Sequence, residues 1–217
     1  MDATSRPALL VVGMQNDKAM MMNRYLIKEN RKPTAGDTQF VKAVNMCIDL
    51  ACERGWLIIY AKDLHHPRHC SFQDVESRHC VLGSWGSVHI SGLRYALPGS
   101  EQLVRGLDMD GDSNDAYYVT DPSYSKCTKE SSLKSIMAIN GLTTLLICGL
   151  SPEGCIEQTA ATATRLGHNP IIISDCTVLA TTPATIITTK PFGEVAALFR
   201  SSPLIHNIQE NITREKE

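Results

Sequence analysis

The sequence predicts an α/β protein in which a parallel β-sheet lies between two layers of helices, a three-layer sandwich. Short apolar runs typical of buried strands alternate with segments of helical periodicity, and such alternation favours parallel strands joined by helical crossovers. Glycine follows three of the helical segments, where helices commonly end. Because no repeat or linker-like stretch interrupts the pattern, we expect one domain over residues 1–217.

The predicted strands are short and apolar. They occupy residues 8–12 (ALLVV), 56–61 (WLIIYA), 116–120, 144–148, 170–174 and 204–208. Apolar residues run without alternation through the first two, which is typical of strands buried on both faces of a parallel sheet.

The predicted helices lie between these strands. They occupy residues 40–54, 130–140, 152–166 and 189–200, and Pro191 interrupts the last one near its start. The long region 62–115 contains only a short possible helix at 102–107, and a region of that length inside a compact domain is usually functional or disordered. We expect the polar tail at 211–217 to fray.

Composition and charge exclude several classes of protein. The 217 residues carry 21 Lys+Arg and 23 Asp+Glu, a formal net charge of −2, so no basic surface for nucleic acid is expected. A hydrophobic fraction of 43% excludes wholesale disorder. No apolar run approaches the ~18 residues that a membrane span needs. We therefore expect neither a nucleic-acid nor a membrane partner.

Cysteine usage and the N-terminus bear on cellular location. Eight cysteines are scattered along the chain, and three lie in apolar runs, which favours buried free thiols over a disulfide scaffold. The first ten residues lead directly into a predicted strand, with no signal or transit peptide visible. We expect a cytoplasmic location, and an organelle is left open.

A histidine-rich segment follows the second predicted strand. It reads DLHHPRH over residues 63–69, and His79 comes ten residues later. Asp63 and His65 point the same way in an extended segment, and a third imidazole from a loop would complete a site for Zn²⁺ or a related ion. Open parallel sheets bind ligands at the carboxyl ends of their strands, which is where this segment lies. A polar loop with solvated histidines is the alternative.

A second candidate site is the segment GLSPEGC at 149–155, which joins a predicted strand to a predicted helix. It places Cys155 in the first helical turn, where backbone N–H groups and the helix dipole favour a thiolate and a developing oxyanion. We interpret Cys155 as a nucleophile, and a buried structural cysteine is the alternative. The bond between Ser151 and Pro152 is a candidate cis peptide.

Together these segments resemble the isochorismatase-like cysteine hydrolases, and among them most closely the nicotinamidases. The matching segments, with the family pattern after each, are residues 8–17 (ALLVVGMQND; LLVVDMQNDF), 63–72 (DLHHPRHCSF; DWHPxxHxSF), 79–86 (HCVLGSWG; HCVxGTxG), 149–155 (GLSPEGC; GVATDVCV) and 173–177 (ISDCT; VSDAT). They occur in the family's order over nearly the whole chain. The resemblance implies a Rossmann-like αβα fold with a six-stranded parallel sheet.

The resemblance also implies a metal site and partners. Asp63, His65 and His79 would hold a divalent metal, with zinc as the first candidate. The expected ligand is a small amide or a related molecule. We further expect a homo-oligomer or a subunit of a larger complex.

For the catalytic residues, the resemblance implies that Cys155 attacks an amide carbonyl. Backbone N–H groups near Cys155 and Gly154, together with the Ser151–Pro152 peptide, which is cis in the family, would hold the oxyanion.

Two positions depart from the family pattern. Gly13 stands where the family has its aspartate base, and Asp121 stands where it has its catalytic lysine. Members of such a triad act as a unit, so the loss of two of them predicts weak or absent amidase activity. Restoring both, with Gly13→Asp and Asp121→Lys together, is expected to raise activity, whereas either change alone is expected to do little.

Two other interpretations stay open. In one, the protein is an active cysteine hydrolase in which Asp121 serves as the base for Cys155 and Lys126 supplies the cation. In the other, the site is a relic, and the protein is a pseudoenzyme subunit or a binding protein in a larger assembly.

Overall fold

The computed structural model describes residues 6–65, 67, 78–94, 130–151, 154–179 and 188–200. Within these ranges the elements, in chain order, are β1 (Pro7–Val12), α1 (Asn16–Lys28), α2 (Thr38–Glu53), β2 (Leu57–Ala61), a 3₁₀ turn (Trp85–Ser87), α3 (Glu130–Ile139), β3 (Thr144–Ser151), α4 (Cys155–Arg165), β4 (Asn169–Leu179), β5 (Thr188–Lys190) and α5 (Phe192–Arg200).

The strands form one parallel sheet in the order β2-β1-β3-β4-β5. In the central strand β1, Leu10 pairs with Ile59 on one side and with Ile147 on the other. The predicted parallel α/β class is therefore confirmed. Four of the six predicted strands lie among the described residues, and β5, which was not predicted as a strand, brings the sheet to five. The strands predicted at 116–120 and 204–208 lie outside the described residues.

Two hydrophobic clusters on opposite faces of the sheet make the three layers. Alternate residues of β1 point to opposite faces. Leu9 and Val11 belong to the cluster that includes the buried faces of α1, α2 and α5. Leu10 and Val12 belong to the cluster that includes α3 and α4. Every described strand position in β2 and β3 is buried, as the unbroken apolar runs predicted.

The structure corrects several predicted boundaries. Residues 189–190 are strand rather than helix, and α5 begins after Pro191. The reason is local, since a residue before proline is restricted to extended backbone and threonine favours strands. The helix predicted from residue 152 begins at Cys155, and β4 continues five residues beyond its predicted end.

Helix α1 was not predicted from the sequence. It buries Ala19, Met22 and Leu26 at helical spacing, but the buried face also includes the charged Lys18, and the apolar Met20 and Ile27 are exposed, which weakens the periodic signal. Helix α2 was predicted, and it begins two residues earlier than expected because the Asp37 side chain accepts a hydrogen bond of 2.7 Å from Phe40 N–H.

Two expectations from composition can be compared with the described residues. All six cysteines there are free thiols, and five of them are buried. None of the helices seen there has both the length and the apolar character to cross a bilayer.

Candidate functional site

The carboxyl ends of three neighbouring strands bring the candidate residues to one edge of the sheet. Val12, at the end of β1, pairs with Ala61 at the end of β2 and with Gly149 in β3. The segments that follow these strands therefore start side by side. They carry Gly13, Asp63 and Cys155, respectively.

Asp63, His65 and His79 converge at this edge. Asp63 Oδ1 lies 2.8 Å from His65 Nε2, and Asp63 Oδ2 lies 3.6 Å from His79 Nε2. One potential ligand atom from each of the three residues lies within 4.8 Å of the others. The two imidazole rings meet edge to face, with centroids 4.8 Å apart. The three residues predicted as metal ligands are therefore neighbours in space.

Main-chain pairing brings His79 next to His65. His65 N–H donates to the carbonyl of Cys80 at 3.0 Å, and Leu82 N–H donates to the carbonyl of His65 at 2.9 Å. This short parallel bridge holds the segment after β2 against the loop that carries His79.

Lys18 is a fourth member of this cluster, and the sequence analysis missed it. Its Nζ lies 2.6 Å from Asp63 Oδ2, and both side chains are largely buried. Burial alone would raise the pKa of Asp63, but hydrogen bonds from His65 and His79 and the charge of Lys18 outweigh it, so that the pKa lies well below its usual range. The sequence signal was present, since Lys18 follows QND where the resembled motif ends in Phe.

Gln15 holds the main chain of Asp63 in place. Its Nε2 donates to the Asp63 carbonyl at 2.8 Å and to the Ser87 carbonyl at 3.1 Å, and its Oε1 accepts from Asp63 N–H at 2.8 Å. Gln15 is fully buried, so its amide cannot bond to water, and these hydrogen bonds satisfy its polar atoms instead. We identify it as a positioning residue that the sequence analysis did not single out.

The first two residues of α1, which follow Gln15, hold the loop that carries His79. Asn16 Nδ2 donates to the carbonyl of Trp85 at 2.9 Å. Cys80 N–H donates to Asp17 Oδ2 at 2.7 Å. Consecutive polar side chains at the start of one helix thus anchor both segments that supply the candidate ligands.

Cys155 is the first residue of α4 and is buried, with 6% of its surface exposed. Gly154 is the N-cap, and its φ of +78° is a left-handed conformation that favours glycine. The hydroxyl of Ser151 accepts from Ile156 N–H at 3.0 Å and donates to Glu157 Oε2 at 2.6 Å. Ser151 therefore acts as a side-chain cap, and the Ile156 N–H is already bonded to it.

Gly13, at the family's base position, has a φ of +60° and donates its N–H to the Ala61 carbonyl at 3.0 Å. A Cβ at this position would lie 2.7 Å from the carbonyl oxygen of Leu150, closer than ordinary contacts allow. Any side chain here therefore requires a backbone shift as well as a left-handed conformation.

Three predicted site residues lie outside the described part of the chain: Asp121, Lys126 and Pro152. Their roles, and the cis form of the Ser151–Pro152 bond, stay predictions.

The donor chemistry of Asp63, His65 and His79 fits a divalent metal. One carboxylate and two imidazoles is a set that suits Zn²⁺, Fe²⁺ or Mn²⁺. The ammonium of Lys18, which contacts the same carboxylate, would repel a metal ion bound there.

Comparison with known proteins places these observations in a family. The isochorismatase domain model matches residues 7–186. An Arabidopsis thaliana protein named a probable inactive nicotinamidase is 28% identical over 210 residues, covering 94% of this chain and 95% of that protein.

Similar solved structures include a pyrazinamidase and an isochorismatase family protein. Pyrazinamidase of Pyrococcus horikoshii, solved in complex with zinc, is 25% identical with a TM-score of 0.57, over 81% of this chain and 88% of that one. An isochorismatase family protein from Desulfovibrio vulgaris shares the fold, with a TM-score of 0.63 at 16% identity, over 89% and 98% of the two chains. This chain belongs to the isochorismatase family.

Proposed function

We propose that this chain is a nicotinamidase-like member of the isochorismatase family that binds a small amide and hydrolyses it weakly or not at all. Gly13 carries the proposal, because it leaves the base position without a side chain in a backbone conformation that disfavours one. The name of the Arabidopsis relative, a probable inactive nicotinamidase, supports the same conclusion.

The chemistry explains why the base matters. Attack by Cys155 on an amide carbonyl forms a C–S bond and requires the thiol proton to move to an acceptor. Among the described carboxylates, Asp63 is bonded to Lys18 and His65, and Glu157 accepts from the Ser151 hydroxyl. Loss of a general base costs about 10²–10⁴-fold in rate.

The alternative is an active cysteine hydrolase in which Asp121 is the base and Lys126 the cation. A further alternative is a pseudoenzyme subunit or binding protein in an assembly. A homo-oligomeric state and a cytoplasmic location are predictions, which light scattering and cell fractionation would test.

Ammonia release from nicotinamide separates these alternatives. We expect the rate of the wild-type protein to lie far below the ~10 s⁻¹ typical of enzymes. A wild-type rate near that value, lost in Cys155→Ala and in Asp121→Asn, would establish the active hydrolase instead. Calorimetric titration with nicotinamide tests binding separately from turnover.

We further propose that Asp63, His65 and His79 hold a divalent ion, with zinc as the first candidate. Such an ion would supply Lewis-acid polarisation or a coordination position for a ligand nitrogen. The shared position of the three side chains supports the site. Metal analysis of the purified protein and of His65→Ala tests it, because an unchanged metal content in the variant would contradict this assignment.

A further inference from the structure

We propose that the Lys18 ammonium is the counter-ion of the Asp63 carboxylate. The chain then folds without a metal, and a divalent ion binds at Asp63 only by displacing Lys18. The part that concerns metal affinity rests on the metal site proposed above. The part that concerns Lys18 as the counter-ion of Asp63 does not.

The contact itself is the first observation. Nζ of Lys18 lies 2.6 Å from Asp63 Oδ2, within charge-assisted hydrogen-bond distance. The side chains of Lys18 and Asp63 are 4% and 12% exposed, so water screens the pair little. Lysine is rarely buried to this extent unless it is paired, and the opposite charge of Asp63 accounts for its position.

Charge balance is the second observation. The Lys18 ammonium already neutralises the negative charge of Asp63. An ion bound to Oδ2 at about 2.1 Å would therefore lie within roughly 5 Å of Nζ, if the contact between Lys18 and Asp63 persisted. Two cations at that distance in a buried site repel each other strongly, so a bound metal requires Lys18 to move away from Asp63.

The surroundings of the Lys18 stem are the third observation. A Cβ on Gly13 would lie 3.8 Å from Lys18 Cγ. The position that lacks the family's carboxylate and the position that carries the extra ammonium are therefore neighbours in space. A carboxylate at position 13 would give Lys18 a second anion close to Asp63.

Zinc affinity tests the metal part of the inference. Competition with a chromophoric chelator would be measured for the wild-type protein, for Lys18→Met and for the control Lys28→Met, which removes an exposed lysine from the last turn of the same helix. We expect Lys18→Met to bind zinc at least ~10-fold more tightly, a change of about 1.4 kcal/mol, and Lys28→Met to match the wild type. Equal affinities in all three proteins would overturn this part.

Unfolding in urea without metal tests the counter-ion separately. We expect Lys18→Met and Asp63→Asn each to lower the urea midpoint, and the double variant to lose less than the sum of the two. Additive losses would overturn the counter-ion. Zinc should raise the melting temperature of Lys18→Met more than that of the wild type.

The two proposals fail in different ways. If neither the wild type nor Lys18→Met binds zinc, but the stability losses of Lys18→Met and Asp63→Asn are less than additive, the proposed metal site is wrong and Lys18 is supported as the counter-ion. If the wild type and Lys18→Met bind zinc equally and the two stability losses are additive, the metal site is supported and the inference about Lys18 is wrong.

Discussion

The side-chain amide of Gln15 forms two hydrogen bonds with the main chain of Asp63, one to its N–H and one to its carbonyl, both 2.8 Å long. This pair fixes the backbone from which the Asp63 carboxylate extends toward Lys18, His65 and His79. The geometry of the cluster therefore depends on a residue that contributes no ligand atom to it.

Replacing Gln15 with leucine tests this role. The change leaves the partly buried N–H and carbonyl of Asp63 without their side-chain partners, at up to about 1–3 kcal/mol for each unsatisfied group. We expect the free energy of unfolding, measured in urea, to fall by several kcal/mol. Gln39→Leu, on the exposed face of α2, is the control and should change stability little. Similar losses in both variants would contradict the positioning role.

A side chain at Gly13 is expected to cost stability whatever its chemistry. Both Gly13→Ala and Gly13→Asp introduce a Cβ against the Leu150 carbonyl on left-handed backbone, so each should lower the free energy of unfolding by about 1–3 kcal/mol. Thermal unfolding would measure this cost. An unchanged melting temperature in both would show that the backbone relaxes freely.

Amidase activity is a separate prediction for the same position. Gly13→Asp combined with Asp121→Lys should raise nicotinamide hydrolysis above the wild-type rate, because it restores a base and a cation. Gly13→Ala combined with Asp121→Lys carries the same Cβ without the carboxylate and should not. Equal rates in the two double variants would show that the carboxylate at position 13 is not the missing base.

The lowered pKa of His89 implies that the protein loses stability in mild acid. Burial and the charge of Lys62 lower the pKa of His89 from 6.5 to about 4, against the opposing effect of its hydrogen bond with the Met14 carbonyl. The unfolded chain therefore binds more protons between these values, so stability falls as the pH drops from about 6.5 toward 4, by at most about 3 kcal/mol.

Urea unfolding across this pH range is the measurement. His89→Gln should show a shallower decline than the wild type, because it removes an imidazole whose pKa is lowered in the folded state. Parallel curves for the wild type and His89→Gln would contradict the assignment.

The hydroxyl of Ser151 is expected to stabilise the start of α4. Its buried hydroxyl bonds both the Ile156 N–H and the Glu157 carboxylate, so Ser151→Ala removes a helix cap and should cost about 1–2 kcal/mol. Thr164→Ala, which removes a hydroxyl bonded within the same helix, is the control and should cost less. If nicotinamide binding weakens only in Ser151→Ala, the cap also orients Cys155.

The local pattern of the sequence determined the fold class and most of the elements. Unbroken apolar runs such as 8–12 predicted strands buried on both faces, because a parallel sheet covered by helices has no polar side. Helix α1 escaped prediction because a charged residue, Lys18, lies on its buried face and apolar residues, Met20 and Ile27, lie exposed. The sequence predicted a last helix from residue 189 that Pro191 interrupts, and only the structure showed that residues 188–190 pair as β5 with β4 and that α5 begins at Phe192.

The sequence by itself also proposed Asp63, His65, His79 and Cys155 as candidate site residues, because short motifs that resemble the family's carry them. It did not reveal that Lys18 neutralises Asp63 or that Gln15 holds it. Gln15 and Asp63 are 48 positions apart, and they meet only because β1 and β2 pair in parallel and end at the same edge. Local periodicity reports which face of an element is buried, whereas contacts between elements depend on sheet order and register, which tertiary packing decides.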